Sequence, residues 1–184
     1  MSYITLVIGG ARSGKSRYAQ DLADKLAEAT EVLYIATAEA GDDEMRERIA
    51  RHKEERPSHW LTAEEPLEAA NILRTADHPV VIIDCLSFFV VNHMLKNGGD
   101  PATCSADTWD GEAAEEAASD LMAAAVGRPG NVIIVTNEVG MGLVPETPLG
   151  RAFRDTAGRV NQAAAAAANN VVLMVAGIPV QVKE

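Results

Sequence analysis

Eight consecutive residues near the N-terminus have the types and spacing that bind phosphate. The segment is Gly9-Gly10-Ala11-Arg12-Ser13-Gly14-Lys15-Ser16, which matches the pattern of two glycines separated by four residues and followed by lysine and serine. In such loops the glycines let backbone N–H groups surround phosphate, Lys15 reaches the β- and γ-phosphates, and Ser16 ligates magnesium. The segment predicts a site for a nucleoside triphosphate with Mg²⁺.

A cationic segment at residues 42–57 stands out in an otherwise acidic chain. It contains Arg46, Arg48, Arg51, His52, Lys53 and Arg56. On helical spacing His52 lies at the edge of an apolar stripe, where an imidazole facing a cleft can attack phosphorus. The residues taken alone fit better a solvated helix with Glu–Arg ion pairs and a histidine of no function, although they leave both interpretations open. His59, His78 and His93 are weaker candidates, because their neighbours predict turns or an apolar helix.

A carboxylate also lies where a second magnesium ligand is expected. Asp84 directly follows the apolar run at residues 80–83, the position of the acidic residue that holds magnesium in nucleotide-binding folds of this kind. The alternative is a carboxylate that only closes a turn after a strand. Ser16 and Asp84 are therefore the candidate metal ligands.

These residues need strands and helices to position them, and the hydrophobic pattern supplies both. Short apolar runs predict strands at 3–8, 32–36, 80–83, 132–136 and 171–176, with a short extended piece at 60–63. Helical periodicity predicts helices at 15–29, 43–55, 66–75, 88–96, 112–126 and 149–168. Alternating strands and helices predict one α/β domain spanning 1–184, a mostly parallel sheet covered on both faces in the manner of P-loop (RecA-like) nucleotide-binding proteins.

Composition limits the possible partners and the compartment. The 184 residues carry a formal charge of −11, which disfavours nucleic acid but not a small phosphate held by backbone amides. No apolar run approaches the roughly 18 residues of a membrane span, and the N-terminus lacks the pattern of a secretory leader. Cys85 and Cys104 show no metal-ligand spacing and are too few for a disulfide framework. We therefore expect a cytoplasmic protein with small-molecule substrates.

Four further stretches carry a resemblance to a known family. Besides the loop at 9–16, they are residues 48–57, 60–66, 136–142 and 150–162. On these stretches the chain closely resembles the bifunctional adenosylcobinamide kinase/adenosylcobinamide-phosphate guanylyltransferases of cobalamin biosynthesis. The likeness runs nearly end to end, but it assigns no role to residues 98–110 and identifies no residue that contacts the corrinoid.

The resemblance implies a function and a set of site residues. Such an enzyme phosphorylates the aminopropanol hydroxyl of adenosylcobinamide with ATP or GTP, and then transfers GMP from GTP to that phosphate through a histidine. His52 matches the histidine, with Lys15 as the other catalytic residue. The implied nucleotide contacts are Gly9, Gly10, Ala11, Arg12, Ser13, Gly14, Lys15, Ser16, Ala36, Thr37, Ala38, Lys53, Glu54, Glu55, Arg56, Glu64 and Asp84. The role of Glu64, in guanine recognition or metal binding, stays open, and the resemblance implies a trimer.

Two other functions fit parts of the sequence. A P-loop kinase of another small metabolite would use the same loop without forming a covalent nucleotide. A nucleotide-gated switch would bind nucleotide tightly with negligible turnover. The cationic segment around His52 is more than nucleotide binding alone requires, which favours the bifunctional enzyme.

Overall fold

A computed structural model describes residues 2–28, 31–54, 56–96 and 109–184. Its centre is a seven-stranded sheet in the order β3-β2-β4-β5-β1-β6-β7. The strands are β1 (Ser2–Gly9), β2 (Val32–Ala36), β3 (Leu61–Glu64), β4 (Val80–Asp84), β5 (Gly130–Asn137), β6 (Asn170–Val175) and β7 (Ile178–Lys183). Neighbouring strands pair in parallel except β6 and β7, which are antiparallel.

Helices lie on both faces of this sheet, as expected for parallel strands joined by crossovers. They are α1 (Lys15–Ala27), α2 (Asp43–Glu54), α3 (Ala69–Thr75), α4 (Leu86–Leu95), α5 (Gly111–Gly127) and α6 (Pro148–Ala167). One apolar core joins alternate strand residues to α3, α4, α5 and α6. The other joins the opposite sheet face to α1. The predicted α/β fold, with a mostly parallel sheet covered on both faces, is confirmed.

The strand register brings the chemically active segments to one edge of the sheet. Gly9, at the end of β1, pairs with Asn137 at the end of β5. Asp84, at the end of β4, pairs with Ala36 on one side and Val135 on the other. Because parallel strands all end at the same edge, the loops after β1, β2, β4 and β5 surround a common space, where ligands of open α/β sheets bind.

One strand was not predicted from the sequence, and the start of one helix was predicted wrongly. The chain does not end its sheet at residue 176, because Ala176 and Gly177 turn with positive φ and return it as antiparallel β7. Pro66 does not open α3, because the carboxylate of Glu65 accepts hydrogen bonds from the N–H groups of Leu67 and Glu68 and forms a turn first. The helix predicted to reach residue 29 is described as far as Ala27, and most of 98–110 lies outside the described residues. Within the described part of the chain, no helix has the length and apolar character to cross a membrane.

Candidate nucleotide site

The loop between β1 and α1 is constrained at both of its motif glycines. A Cβ on Gly9 would lie 2.5 Å from the backbone oxygen of Met174, so any side chain there collides with β6. Gly14 has φ of 93°, in the region that favours glycine, and a Cβ on it would lie 3.4 Å from Cα of Gly177. The N–H of Gly177 donates to the carbonyl of Ser13 at 3.0 Å. The turn before β7 therefore braces the loop from behind.

Lys15 is the first residue of α1 and is held inside the loop. Its side chain is only 7% exposed, and Nζ donates to the carbonyl oxygen of Gly10 at 2.6 Å. The first turn of α1 contains no acidic residue, so the positive end of the helix dipole is not neutralised there. This arrangement is suited to binding an anion.

A cavity of about 480 Å³ opens beside the loop and collects most of the predicted site residues. Those on its lining are Arg12, Ser13, Gly14, Lys15, Ser16, Ala36, Ala38, His52, Arg56, Glu64 and Asp84. They come from separate parts of the chain, namely the phosphate-binding loop, the end of β2 and the residues after it, α2 and the residues after it, the end of β3 and the end of β4. The histidine and the phosphate-binding lysine thus share one cavity.

The histidine reaches this cavity because α2 stands at its border. Met45, Ile49 and His52 lie on the cavity and are half-buried, so the apolar stripe predicted for this helix lines the cleft and is not part of the core. The side chain of Asp42 accepts from the N–H of Met45 at 2.7 Å and caps the helix start. Arg51 adds a further cation to the lining.

Asp84 is linked to a tyrosine and an arginine on the cavity wall. The hydroxyl of Tyr34 donates to Oδ2 of Asp84, and the guanidinium carbon of Arg56 lies 3.8 Å from the centre of the Tyr34 ring. Burial, followed by the charge of Asp84, raises the pKa of Tyr34, so its hydroxyl stays a donor. Within the described residues, Nε and Nη1 of Arg56 are buried without a hydrogen-bond partner. A phosphate oxygen would satisfy such donors.

Some predicted residues lie elsewhere. Thr37 is buried and structural, since its hydroxyl donates to the carbonyl of Cys85 at 2.7 Å. Lys53 pairs with Glu64 and lines a neighbouring hollow of about 710 Å³. Glu54 is exposed and lines neither space. Gly9, Gly10 and Ala11 form the start of the loop outside the cavity lining, and Glu55 lies outside the described residues.

Other lining residues were not predicted from the sequence. They are Arg17, Tyr34, Glu44, Met45, Glu47, Ile49, Arg51, Cys85, Phe88, Val135 and Asn137. Tyr34 carried one usable signal, because a tyrosine in a fully apolar strand needs a partner for its hydroxyl.

Burial, and then the charge of Asp84, raises the pKa of the Cys85 thiol to about 11. That thiol is therefore neutral near pH 7 and is not a nucleophile.

The lining suits magnesium bound together with a nucleotide. The side chains of Ser16 and Asp84 face the same cavity, and no group of three or more acidic, histidine or cysteine side chains forms a metal cage among the described residues. Magnesium in nucleotide sites uses one or two protein ligands and completes its shell with phosphate and water. The donor set present therefore fits Mg²⁺ delivered with a triphosphate.

Comparison with known proteins gives close relatives over nearly the whole chain. The bifunctional adenosylcobalamin biosynthesis protein CobU of Escherichia coli (strain K12) is 47% identical, over 97% of this chain and 98% of that protein. The protein of the same name from Salmonella typhimurium is also 47% identical with the same coverage. The corresponding Pseudomonas aeruginosa protein, CobP, is 42% identical, over 97% of this chain and 96% of that protein.

Solved structures with similar folds are more distant in sequence. A KaiC-like protein of Pyrococcus horikoshii superposes with a TM-score of 0.50 at 13% identity, over 93% of this chain and 70% of that one. A solved ATPase domain gives 0.51 at 14% identity, over 93% and 68%. These likenesses support the P-loop nucleotide-binding fold alone. The model of the family described as cobinamide kinase / cobinamide phosphate guanyltransferase matches residues 5–182, and the chain therefore belongs to that family.

Proposed function

We propose that this chain phosphorylates adenosylcobinamide with ATP or GTP and then transfers GMP from GTP, through His52, to give adenosylcobinamide-GDP. The observation that supports this most directly is the shared cavity, in which His52 and the phosphate-binding residues Lys15 and Ser16 are all on the lining. Relatives of 42–47% identity whose names describe bifunctional proteins support the pair of activities. A single nucleotide site then serves two reactions in turn.

In the kinase reaction the chain mainly positions and neutralises phosphate. The N–H groups at the start of α1 and Nζ of Lys15 hold the β- and γ-phosphates. Arg56, with unpaired donors on the same cavity, binds a phosphate oxygen from the other side. Ser16 and Asp84 would hold magnesium together with the nucleotide, and the ion would supply charge neutralisation on the phosphates. The substrate hydroxyl forms a bond to the γ-phosphorus while the bond to the departing diphosphate breaks, and its proton goes to solvent.

In the guanylyl transfer the cavity presents a different phosphorus atom to a different nucleophile. A neutral His52 nitrogen forms a bond to the α-phosphorus of GTP, and pyrophosphate leaves with the electrons of the broken P–O bond. A phosphate oxygen of adenosylcobinamide phosphate then attacks the same phosphorus and releases the imidazole. Arg51 and Arg56, both on the lining, offset the negative charge that accumulates in both steps.

A direct test is whether the protein retains label from GTP labelled at the α-phosphorus. The purified protein is incubated with magnesium and labelled GTP and separated on a denaturing gel, and retained label is treated with acid and with alkali. We expect label that is acid-labile and alkali-stable, as for a phosphoramidate. The matched control His59→Asn should retain the same label, because His59 is exposed and is not on the cavity lining. Unlabelled protein that still binds GTP would favour a kinase without a covalent nucleotide, and tight binding with no turnover would favour a switch.

Compartment and assembly are part of the same proposal. Two cysteines, one of them a buried free thiol, favour the reducing cytoplasm, and the substrates are small molecules, not nucleic acid.

By resemblance the protein is a homotrimer. The side chains of Ile178, Val180 and Val182 are exposed on the edge strand β7, and such an edge can be covered by another subunit. Light scattering coupled to gel filtration should give three times the 19.5 kDa chain mass, and a monomer would contradict the assembly.

A further inference from the structure

Strand β5 places an asparagine between the two segments that the proposed chemistry uses most. The strand lies between β1, which leads into the phosphate-binding loop, and β4, which ends at Asp84. Asn137 is its last residue and pairs with Gly9, while Val135 pairs with Asp84. The side chain of Asn137 lies on the cavity that Lys15 also lines. The roles proposed for the phosphate-binding loop and for His52 do not involve Asn137.

Hydrogen bonds hold this asparagine from several sides. Its side-chain Nδ2 donates to Oγ of Ser87 at 2.7 Å, and its backbone carbonyl accepts from Nδ2 of Asn161 at 3.1 Å. Asn161 in turn accepts from the hydroxyl of Thr136 at 2.7 Å, and the next backbone N–H, that of Glu138, donates to the carbonyl of Gly9 at 3.0 Å. A polar network of this kind fixes one orientation of the carboxamide.

The amide oxygen is the part of Asn137 that remains available. Among the described residues none donates a hydrogen bond to its Oδ1, whereas Nδ2 is engaged by Ser87. An amide oxygen is a neutral acceptor that carries no proton. Phosphate oxygens are also acceptors and do not donate a hydrogen bond to Oδ1, whereas a hydroxyl group does. The chemistry of the exposed atom therefore matches an alcohol.

We propose that Asn137 is a catalytic residue of the kinase reaction, whose Oδ1 accepts a hydrogen bond from the attacking hydroxyl of the alcohol substrate. This inference rests on the proposed function, in which that hydroxyl is the nucleophile. The contact turns an oxygen lone pair towards the γ-phosphorus, the new P–O bond forms as the bond to the diphosphate breaks, and the hydroxyl proton passes to solvent. In a loose transition state orientation contributes more than early proton removal.

A neutral acceptor suits this place better than a carboxylate. Asp84 and the phosphates already concentrate negative charge on the cavity, and a further carboxylate would repel the transferring phosphoryl group. The role also concerns one reaction only. The nucleophiles of guanylyl transfer are an imidazole and a phosphate oxygen, and neither donates a hydroxyl proton to Oδ1.

The experiment compares both activities in wild type, Asn137→Ala, Asn137→Asp and Asn71→Ala. Asn71 is the matched control, because it is exposed on α3 and is not on the cavity lining. The readouts are kcat/KM for phosphorylation of adenosylcobinamide, affinity for magnesium–GTP, the amount of covalent GMP and the thermal unfolding temperature. We expect Asn137→Ala to lower kcat/KM of the kinase by about 10- to 100-fold, with GTP affinity and covalent GMP within about twofold of wild type.

Asn137→Asp tests whether the acceptor must be neutral. It keeps an oxygen acceptor, to which the hydroxyl of Ser87 can donate, but it adds a negative charge that repels the transferring phosphoryl group, so we expect kinase activity below that of wild type. Kinase activity unchanged in Asn137→Ala would overturn the inference, and full activity in Asn137→Asp would overturn the requirement for a neutral acceptor. Parallel losses of GTP affinity and covalent GMP would also overturn it, since Asn137 would then serve the nucleotide or its magnesium. A wild-type protein with no kinase activity would instead remove the proposed function and this inference with it.

Discussion

Replacing His52 by asparagine is expected to lower guanylyl transfer by at least about 10⁴-fold, the scale of losing a covalent nucleophile. Phosphorylation of adenosylcobinamide by the same variant should stay within about threefold of wild type, because His52 has no part in the proposed kinase reaction. Separate assays of the two products, with retention of GMP label as a third readout, check this expectation.

The structure indicates that His52→Asn tests the role of the imidazole in the reaction without disrupting the fold. His52 is only half-buried on the border of the cavity, so asparagine leaves no large hole in the core. The control His59→Asn should keep both activities. Equal loss of both activities in His52→Asn, with unchanged GTP affinity, would contradict the division of labour between the histidine and the phosphate-binding loop.

Lys15→Ala is expected to impair both reactions by about 10²- to 10³-fold. Nζ of Lys15 is the cation enclosed in the loop, and both reactions bind the triphosphate there in the proposed mechanism. GTP affinity should fall as well, because the lysine acts on bound nucleotide and not only on the transition state. Titration with GTP and assays of each half-reaction measure the effect.

Lys25→Ala is the matched control, since Lys25 is an exposed lysine in the last turn of the same helix. It removes the same charge from the chain without touching the cavity, and it should leave both activities unchanged. A Lys15→Ala variant that loses phosphoryl transfer but keeps guanylyl transfer would mean that the two reactions bind nucleotide in different places. The single shared cavity would then have to be abandoned.

The sequence predicts the fold well where a pattern has one physical interpretation. Fully apolar, β-branched runs such as that of β2 become strands buried on both faces, and the glycine-rich loop requires a strand before it and a helix after it. The last strand, β7, was missed although Gly177 and the alternating Ile178, Val180 and Val182 are typical of a hairpin. Its side chains are exposed, so it has no buried apolar run.

The candidate site was predictable where a motif or a resemblance supplied the residues. His52 is an example. Local spacing alone did not decide whether it is a nucleophile or a solvated side chain, and the family resemblance favoured the nucleophile. Tyr34 and Asn137 reach the cavity through strand register, which depends on pairing between distant segments. Such pairings are not visible in local sequence, and for this reason these two residues were not predicted.

The order of strands also governs when the site can form during folding. Strand β1 has neighbours only from the second half of the chain, since Ser2 pairs with Gly130 and Thr5 with Asn170. A nascent chain therefore carries the complete phosphate-binding motif long before any partner strand exists to hold it. Contacts between such distant segments form late, after the entropy of closing a long loop has been overcome. The motif is thus synthesised early, but the strands that hold it in place are synthesised only in the second half of the chain.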